Sequence, residues 1–149
     1  MTPVIRAAEP NDVRAIRRIV HDAYAAYVPR IGREPAPMRA DYATLVDAGV
    51  VSVAVSEDEL VGVLVLRAQP DSLLLENVAV SPAAQGRGIG RALVDFAEQR
   101  ARELAVGRVT LYTNEHMTEN LAFYPALGFR EVDRRHEKGF DRVYFEKPV

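Results

Sequence analysis

The segment Gln85–Gly90 (QGRGIG) places three glycines within five positions, between two segments of regular character. Leu73–Val80 is apolar apart from Glu76 and Asn77, which is typical of a buried strand. Apolar residues at helical spacing then continue to about Leu104. A strand that enters a helix through a glycine-rich turn favours a fold in which helices pack on a sheet.

The turn Gln85–Gly90 has the chemistry of an anion site. The first N–H groups of a helix have no internal partner, and the helix dipole is positive there. Glycines let a phosphate approach the backbone closely. Two other phosphate motifs fit less well, because Arg91-Ala92 replaces the Lys-Ser/Thr of a nucleotide-hydrolase loop and the spacing is not G-x-G-x-x-G. A purely structural role for the glycines, as a tight corner, stays open at this point.

The other apolar patterns predict a sheet flanked by helices. We predict strands at about 4–7, 50–56, 60–68, 72–80, 109–113, 129–135 and 142–146, and helices at about 13–27, 39–47, 88–104 and 118–127. Pro29 is expected to end the first helix, and residues 29–38, with three prolines, are expected to form a loop. Short connections among the second, third and fourth strands imply an antiparallel meander.

Composition excludes several classes of protein. The 149 residues are 48% hydrophobic, enough for one core, so we expect residues 1–149 to form a single domain. A net charge of −2 without a basic run disfavours nucleic acid as a partner. The absence of cysteine and the scattered His21, His116 and His136 predict no metal site. The absence of a long apolar stretch or an apolar leader favours a soluble cytoplasmic domain that does not enter a membrane.

Two motifs in these settings resemble the GNAT superfamily of N-acetyltransferases. Val78–Pro82 (VAVSP), followed by Gln85–Gly90, is similar to the acetyl-CoA motif of that family. Asn120–Tyr124 (NLAFY), followed by Leu127–Phe129 (LGF), is similar to its next motif. The order of predicted elements also matches from Val4 to the C-terminus, so the resemblance covers nearly the whole chain.

The resemblance implies an α/β (α+β) fold of a specific kind. Its central sheet is mixed and mostly antiparallel, has about seven strands, is splayed between the fourth and fifth strands, and carries helices on both faces. Coenzyme A would insert in the splay, with acetyl-CoA as co-substrate and no metal. The implied cofactor contacts are Val78, Ala79, Val80, Gln85, Gly86, Arg87, Gly88, Ile89, Gly90, Arg91 and Asn120. Met117 replaces an asparagine common in the family, which weakens the assignment of Asn120, and Pro125 is expected to bend its helix.

The implied reaction is direct attack of a primary amine on acetyl-CoA in a ternary complex. A small molecule is the expected acceptor, and a small amine, an amino acid and a peptide N-terminus all stay open. Tyr124 occupies the position of the family's general acid, and we expect its phenol, with a reference pKa of about 10, to donate a proton to the departing thiolate of coenzyme A. Its alternative role is that of a core tyrosine. Glu76 is the expected base, directly or through water, because a carboxylate in an apolar strand is costly unless it faces a cleft. Strict alternation places it on a face with Leu74 and Val78, and the alternative is a solvent-facing glutamate.

The acceptor is expected to contact the end of the first helix and the loop after it. The candidate substrate-binding residues are Tyr24, Tyr27, Arg30 and Arg33, near Glu34 and Met38. Arginines recognise carboxylates through paired hydrogen bonds, and aromatic rings line amine pockets. A solvated loop with ordinary surface arginines remains the alternative.

Two questions stay open on the sequence alone. A non-catalytic module that binds an acyl-CoA, as a sensor or partner, is the alternative function. Pairing of the C-terminal strands across a homodimer is the candidate mode of assembly.

Overall fold

The computed structural model describes residues 2–149. Its strands are β1 Val4–Ala7, β2 Val51–Ser56, β3 Glu59–Ala68, β4 Leu73–Val80, β5 Arg108–Asn114, β6 Arg130–Glu137 and β7 Phe140–Pro148. Its α-helices are α1 Val13–Tyr24, α2 Val28–Ile31, α3 Ala36–Arg39, α4 Tyr42–Asp47, α5 Ile89–Glu103 and α6 Thr118–Ala126. Within these residues no helix is both long and apolar enough to cross a membrane.

The seven strands of the described chain form one sheet in the order β1-β2-β3-β4-β5-β7-β6. Every neighbouring pair is antiparallel except β4 and β5, which are parallel. The β4–β5 pairing ends at Leu75 and Leu111, although β4 continues to Val80 and β5 to Asn114. The strands therefore separate beyond Leu75, and the predicted mixed sheet, splayed between its fourth and fifth strands, is confirmed.

Helices cover both faces of this sheet, as predicted. On one face α1 presents Ile16, Ile19 and Val20, which share one side of the helix at i, i+3 and i+4 spacing, to a cluster that includes the fully buried Val53 and Val63. On the other face α5 packs against a second cluster around β3, β4 and β5. Burying each such aliphatic side chain stabilises the fold by about 1.5–3 kcal/mol. The two helices are thereby fixed on either side of the strands that separate.

The segment after α1 differs from the prediction. The α-helix ends at Tyr24, and Pro29 lies in the first turn of α2 instead of ending a helix. Proline fits a first helical turn because the N–H it lacks has no helical partner there. The expected loop 29–38 contains most of α2 and most of α3. The next helix begins only at Tyr42, where Asp41 Oδ1 accepts a hydrogen bond from Thr44 N at 3.2 Å.

Strand β4 contains a bulge at Glu76. Leu66 of β3 pairs with Leu75, and Val65 pairs with Asn77, so Glu76 is an extra residue in the ladder. Leu75 accordingly packs on the α5 side while Ala79, four residues later, packs on the α1 side. The prediction that Glu76 shares a face with Leu74 and Val78 assumed strict alternation along an unbroken strand. Because the bulge interrupts the alternation, the prediction loses its basis.

Gly62 in β3 sets how closely α5 approaches the sheet. A Cβ at this position would lie 3.0 Å from Leu93 Cδ1 and 3.2 Å from Ile89 Cγ2. We expect Gly62→Ala to lower the free energy of unfolding by about 1–3 kcal/mol through overpacking. Urea denaturation measures the change, and Gly107→Ala is the matched control, because a Cβ there has no heavy atom within 4 Å. Equal midpoints for both variants would contradict this account.

Candidate active site

A cavity of about 360 Å³ lies where β4 and β5 separate. Its walls come from β3, β4, β5 and β7, from α1, α4 and α6, and from residues 35–41. Of the site residues predicted from the sequence, it brings together Tyr24, Glu76, Val78, Asn120 and Tyr124. These residues are up to 100 positions apart in the chain, and only the splay of the sheet places them around one space.

The glycine-rich turn leads from β4 into α5 and is open to solvent. Gly86 and Gly88 have φ values of 82° and 78°, in the left-handed region that favours glycine, and a Cβ on either would have no heavy atom within 4 Å. Gly88 is the N-cap of α5, so the free N–H groups of the first turn lie directly after it. Ile89 turns its side chain into the core and is 3% exposed, so only its backbone can contact a ligand.

Charge and close packing complete this end of the site. Arg87 and Arg91 are exposed, and among residues 2–149 neither forms a salt bridge within 4.0 Å. A Cβ on Gly90 would lie 3.4 Å from Phe123 Cζ, so α5 and α6 come close together there. The turn thus offers backbone donors and two uncommitted guanidinium groups to an anion.

The backbone of Val78 and Val80 faces the gap between the strands. Ser81 N–H donates to Val61 O at 2.8 Å, and in an antiparallel ladder only every second residue bonds to the same neighbour. Val78 and Val80 therefore point their N–H and C=O groups away from β3. Their carbonyls accept side-chain hydrogen bonds from Tyr24 Oη at 3.0 Å and from Gln85 Nε2 at 3.4 Å respectively. Both N–H groups are left facing the gap.

Ala79 is not brought to the gap. Its backbone lies on the β3 side of the ladder, opposite Val63, and its side chain is 2% exposed in the core beneath α1. The structure therefore places two of the three residues predicted from this part of the motif at the gap.

Tyr124 on α6 reaches the cavity from an aromatic cluster. Its ring lies 5.1 Å from that of Phe123 and 5.7 Å from that of Phe129, both edge to face. No fully buried side-chain oxygen or nitrogen in the described chain lacks a hydrogen-bond partner, and the hydroxyl of Tyr124 has none within the protein. That oxygen is therefore accessible from the cavity. Burial raises the pKa of Tyr124 well above 10, so the phenol keeps its proton near neutral pH.

Glu76 lines the same cavity from the bulge in β4. Its side chain is 29% exposed, and its Oε1 accepts a hydrogen bond from Arg67 Nε at 2.8 Å. The carboxylate is thus neither fully solvated nor isolated. One oxygen is held by the arginine, which leaves the other available to a ligand or a water molecule.

A buried hydrogen-bond chain, which no predicted role anticipated, supports this side of the cavity. Tyr24 Oη shares its one proton between Asn77 Oδ1 at 2.6 Å and the more distant Val78 O. Asn77 Nδ2 donates to Tyr42 Oη at 3.0 Å, and Tyr42 Oη donates to Pro37 O at 2.6 Å. Burial raises the pKa of both tyrosines, which therefore remain donors. The chain ties α1, α3 and α4 to β4. Its only signal in the sequence is a second polar residue, Asn77, in an apolar strand.

Tyr27, Arg30 and Arg33 do not line the cavity. Arg30 Nη1 donates to Glu119 Oε1 at 2.7 Å, and Tyr27 Oη donates to Glu119 Oε2 at 3.1 Å. We call these three residues, Tyr27, Arg30 and Glu119, the clasp, because they join the α1–α2 segment to the start of α6. Arg33 instead stacks over the ring of Phe140, 4.4 Å from its centroid. The geometry therefore gives no direct support to the predicted role of Tyr27, Arg30 and Arg33 in binding an acceptor.

Asn120 spans the opposite wall of the cavity. Its Nδ2 donates to Thr113 Oγ1 at 3.0 Å, which links α6 to β5 beside Met117. Pro125 is the penultimate residue of α6, and Gly128, with a φ of 96°, follows the end of the helix. The helix therefore stops immediately after Tyr124 and Pro125.

The histidines are less scattered than their spacing indicated. His116 lies with Glu115 and Asp141 so that one potential ligand atom of each is within 4.8 Å of the others. Glu115 already pairs with Arg134 at 3.1 Å, and Asp141 pairs with His136 at 2.7 Å. Arginines line the same depression. Hydrogen bonds and an ion pair within the protein account for this cluster, and we assign no metal to it.

Comparison with known proteins identifies the class of this fold and site. The acetyltransferase (GNAT) family profile matches residues 14–129. The amino-acid acetyltransferase of Mycobacterium tuberculosis is 33% identical over 136 residues, which are 88% of this chain and 70% of that protein. An N-acetyltransferase of Bacillus subtilis, YvbK, is 29% identical over 107 residues, or 69% of each chain. The chain therefore belongs to the GNAT family of acetyltransferases, and the predicted enzyme class is confirmed.

Solved structures show the same fold. The PaiA N-acetyltransferase from Thermoplasma acidophilum, in complex with coenzyme A, superposes over 100% of both chains with a TM-score of 0.84 at 16% identity. The phosphinothricin acetyltransferase of Sinorhizobium meliloti, in complex with acetyl-CoA, covers 100% of this chain with a TM-score of 0.75 at 22% identity. Identities this low establish the architecture and nothing about the acceptor.

The hydrogen bonds of the clasp predict how the pKa of Glu119 and the stability of the fold depend on Arg30. Hydrogen bonds, first from Arg30, lower the pKa of Glu119 from 4.5 to about 2. We expect Arg30→Gln to raise this pKa towards 4.5, as measured by NMR titration of the Glu119 side chain. A lowered carboxyl pKa stabilises the folded state above the unfolded-state value and loses this effect as pH falls through the folded-state value. The difference in unfolding free energy between wild type and Arg30→Gln should therefore shrink between pH 4.5 and about 2. An unchanged Glu119 pKa in the variant would show that the clasp is absent in solution.

Proposed function

We propose that this protein transfers an acetyl group from acetyl-CoA to a primary amine of a small molecule, with both substrates bound at once. The observation that carries the proposal is that one cavity, at the point where β4 leaves β5, contains Glu76, Tyr124 and the backbone of Val78. The similarity to a protein named amino-acid acetyltransferase supports a small acceptor.

The described residues fit coenzyme A. Its pyrophosphate is an anion, and the turn Gln85–Gly90 offers free N–H groups, two left-handed glycines without steric obstruction, and the side chains of Arg87 and Arg91. Its extended amide-bearing arm needs backbone partners, which the N–H groups of Val78 and Val80 would supply in the gap. Acetyl-CoA contributes an acyl group activated as a thioester.

The residues around the cavity have separate tasks in this reaction. An alkyl amine is an ammonium ion at neutral pH and must lose a proton before it is nucleophilic. Glu76 would accept that proton, directly or through a water molecule. The N–H of Val78 would donate a hydrogen bond to the acyl oxygen as it gains negative charge.

The physical properties of Tyr124 refine its role. By reference pKa a thiol, at about 8.5, is a stronger acid than a phenol, at about 10, and burial raises the pKa of Tyr124 further. Complete proton transfer from Tyr124 to the departing thiolate is therefore uphill. A hydrogen bond from the phenol to the sulfur, strengthening as negative charge develops, is favourable. We assign Tyr124 this role as a hydrogen-bond donor in place of full proton donation.

Replacing Tyr124 tests this assignment. Tyr124→Phe keeps the ring and removes the donor, so we expect kcat to fall about 10²–10³-fold. The Kd for acetyl-CoA, measured by calorimetry, should stay near the wild-type value, because the hydroxyl acts on the sulfur only as charge develops. Tyr144→Phe is the matched control, since that tyrosine packs against Tyr112 and Arg135 without lining the cavity. Unchanged turnover in Tyr124→Phe would remove the hydroxyl from the mechanism.

Glu76→Gln tests the base. We expect kcat/KM to fall about 10²–10⁴-fold near pH 7. The deficit should narrow as pH rises towards the amine's own pKa, about 10.4 for an alkyl ammonium, because the amine then loses its proton without help. Glu59→Gln, at an exposed position at the start of β3, is the control for charge. A deficit that is constant across this pH range would show that Glu76 binds or positions the acceptor and is not the base.

A non-catalytic module that binds an acyl-CoA is the competing function. An assay for free thiol release, with acetyl-CoA and a panel of amines, separates the two. Thiol release that depends on the amine and on Tyr124 supports the enzyme. Tight binding of acetyl-CoA without thiol release for any amine would favour the binding module.

A further inference from the structure

The β5–β7 side of the cavity carries a group of hydrogen-bond donors that the proposed chemistry does not use. Asn114 of β5 pairs with Arg142 of β7 in the antiparallel ladder, and Tyr112 lies two residues before Asn114. Paired residues, and residues two apart on one strand, share a face of a sheet. The three side chains therefore lie together, and all three line the cavity.

Arg142 is the centre of this group. Its side chain is only 9% exposed, and its guanidinium stacks 4.5 Å from the centroid of Tyr112 and 5.6 Å from that of Phe140. Within residues 2–149 its one side-chain hydrogen bond goes from Nη1 to Glu137 Oε1 and is long, at 3.3 Å. A guanidinium offers five N–H donors, and burying this charge is costly unless it is well paired. The arginine therefore has unused donors where a ligand can reach them.

Its neighbours have unused capacity of the same kind. Asn114 is 8% exposed, and its Oδ1 accepts a hydrogen bond from His116 N at 2.9 Å, while its Nδ2 has no partner in residues 2–149. Within residues 2–149 the hydroxyl of Tyr112 also has no hydrogen-bond partner, and Tyr112 lines the cavity. One positive charge and two neutral donors thus converge on the cavity. A carboxylate accepts up to about four hydrogen bonds and pairs with a guanidinium through two parallel ones.

The opposite wall has the complementary character. Glu76 of β4 contributes a carboxylate to this wall of the cavity, and Arg67, the other arginine there, donates its Nε to Glu76 Oε1. Asp41, the N-cap of α4, also lines the wall, but both of its carboxylate oxygens accept hydrogen bonds from Thr44. The cavity therefore has a donor-rich end at β5–β7 and, at β4, the second carboxylate oxygen of Glu76, which suits a small molecule with an anionic and a cationic group.

We propose, on the basis of the proposed function, that the acceptor is an amine that also carries a carboxylate, as a free amino acid does. Arg142 binds the carboxylate through paired hydrogen bonds, supported by Asn114 and Tyr112, while the amine points to Glu76. Arg142 thereby takes the role that the sequence suggested for Arg30 and Arg33, which contact Glu119 and Phe140 instead.

The experiment compares matched acceptors. Thiol release from acetyl-CoA is measured with L-amino acids, with the corresponding amino-acid amides, and with alkyl amines that lack a carboxylate. We expect kcat/KM for the best amino acid to exceed that for its amide by about 10- to 100-fold, the effect of losing hydrogen bonds to a charged group. In Arg142→Gln this ratio should fall at least about tenfold, mainly through a higher KM. The Kd for acetyl-CoA, measured by calorimetry, should not change.

Two further variants keep the test decisive. Arg135→Gln removes an equal charge from the residue paired with Arg142 on β6, where Arg135 stacks on Tyr144 outside the cavity, and it should retain the ratio. Arg142→Lys keeps the charge but cannot form two parallel hydrogen bonds, so its ratio should also fall. If Arg142→Gln fails to fold, the ratio measured for Arg142→Lys tests the proposal instead.

The outcomes separate this inference from the proposed function. Acetylation of amides or plain amines as efficiently as amino acids, or an unchanged ratio in the Arg142 variants, would overturn the carboxylate site and leave acetyl transfer standing. Binding of acetyl-CoA with no thiol release for any acceptor would overturn both.

Discussion

The cavity and the backbone groups that face it depend on the loss of hydrogen bonding between β4 and β5 beyond Leu75 and Leu111. Two parallel strands that separate leave backbone donors and acceptors without strand partners, which a folded protein must otherwise satisfy. Tyr24 and Gln85 bind the carbonyls of Val78 and Val80, so the N–H groups are what remains for a ligand. The same separation opens the cavity, and the bulge at Glu76 turns a carboxylate into it where the strands part.

The cavity walls are held by buried polar contacts as well as by apolar packing. The chain from Tyr24 through Asn77 to Tyr42 joins α1 and α4 to β4, and Asn120 joins α6 to β5. Hydrogen bonds of this kind are costly to leave unmade in a buried site, so they fix side-chain positions more narrowly than apolar contacts do. The clasp adds a solvent-exposed link from Arg30 to Glu119, across the start of α6.

Prediction from sequence succeeded where a local pattern sufficed. The seven strands and the main helices agree with the structure, because apolar periodicity reflects the local backbone. The position of the splay also agrees, because the two motifs carry the resemblance that implied it. It failed where non-local packing decides. Pro29 starts a helical turn instead of ending one, Ala79 faces the core, and the bulge breaks the alternation assumed for Glu76. Arg142 had no local signal, since a surface arginine and a buried one look alike in a sequence.

The sequence by itself indicated the family, through its two motifs, and predicted an anion site at Gln85–Gly90. The structure shows Gly86 and Gly88 of that turn in the left-handed region that favours glycine. The sequence also singled out Glu76, a carboxylate in an apolar strand, and Tyr124, through its position in the second motif. Only the tertiary structure decided which charged side chains share the cavity. Arg30 and Arg33 were taken up by Glu119 and Phe140, and Arg142 was placed at the donor-rich end. The physical reason is that ion pairs and stacking depend on the distances between strands and helices, which no local stretch of sequence contains.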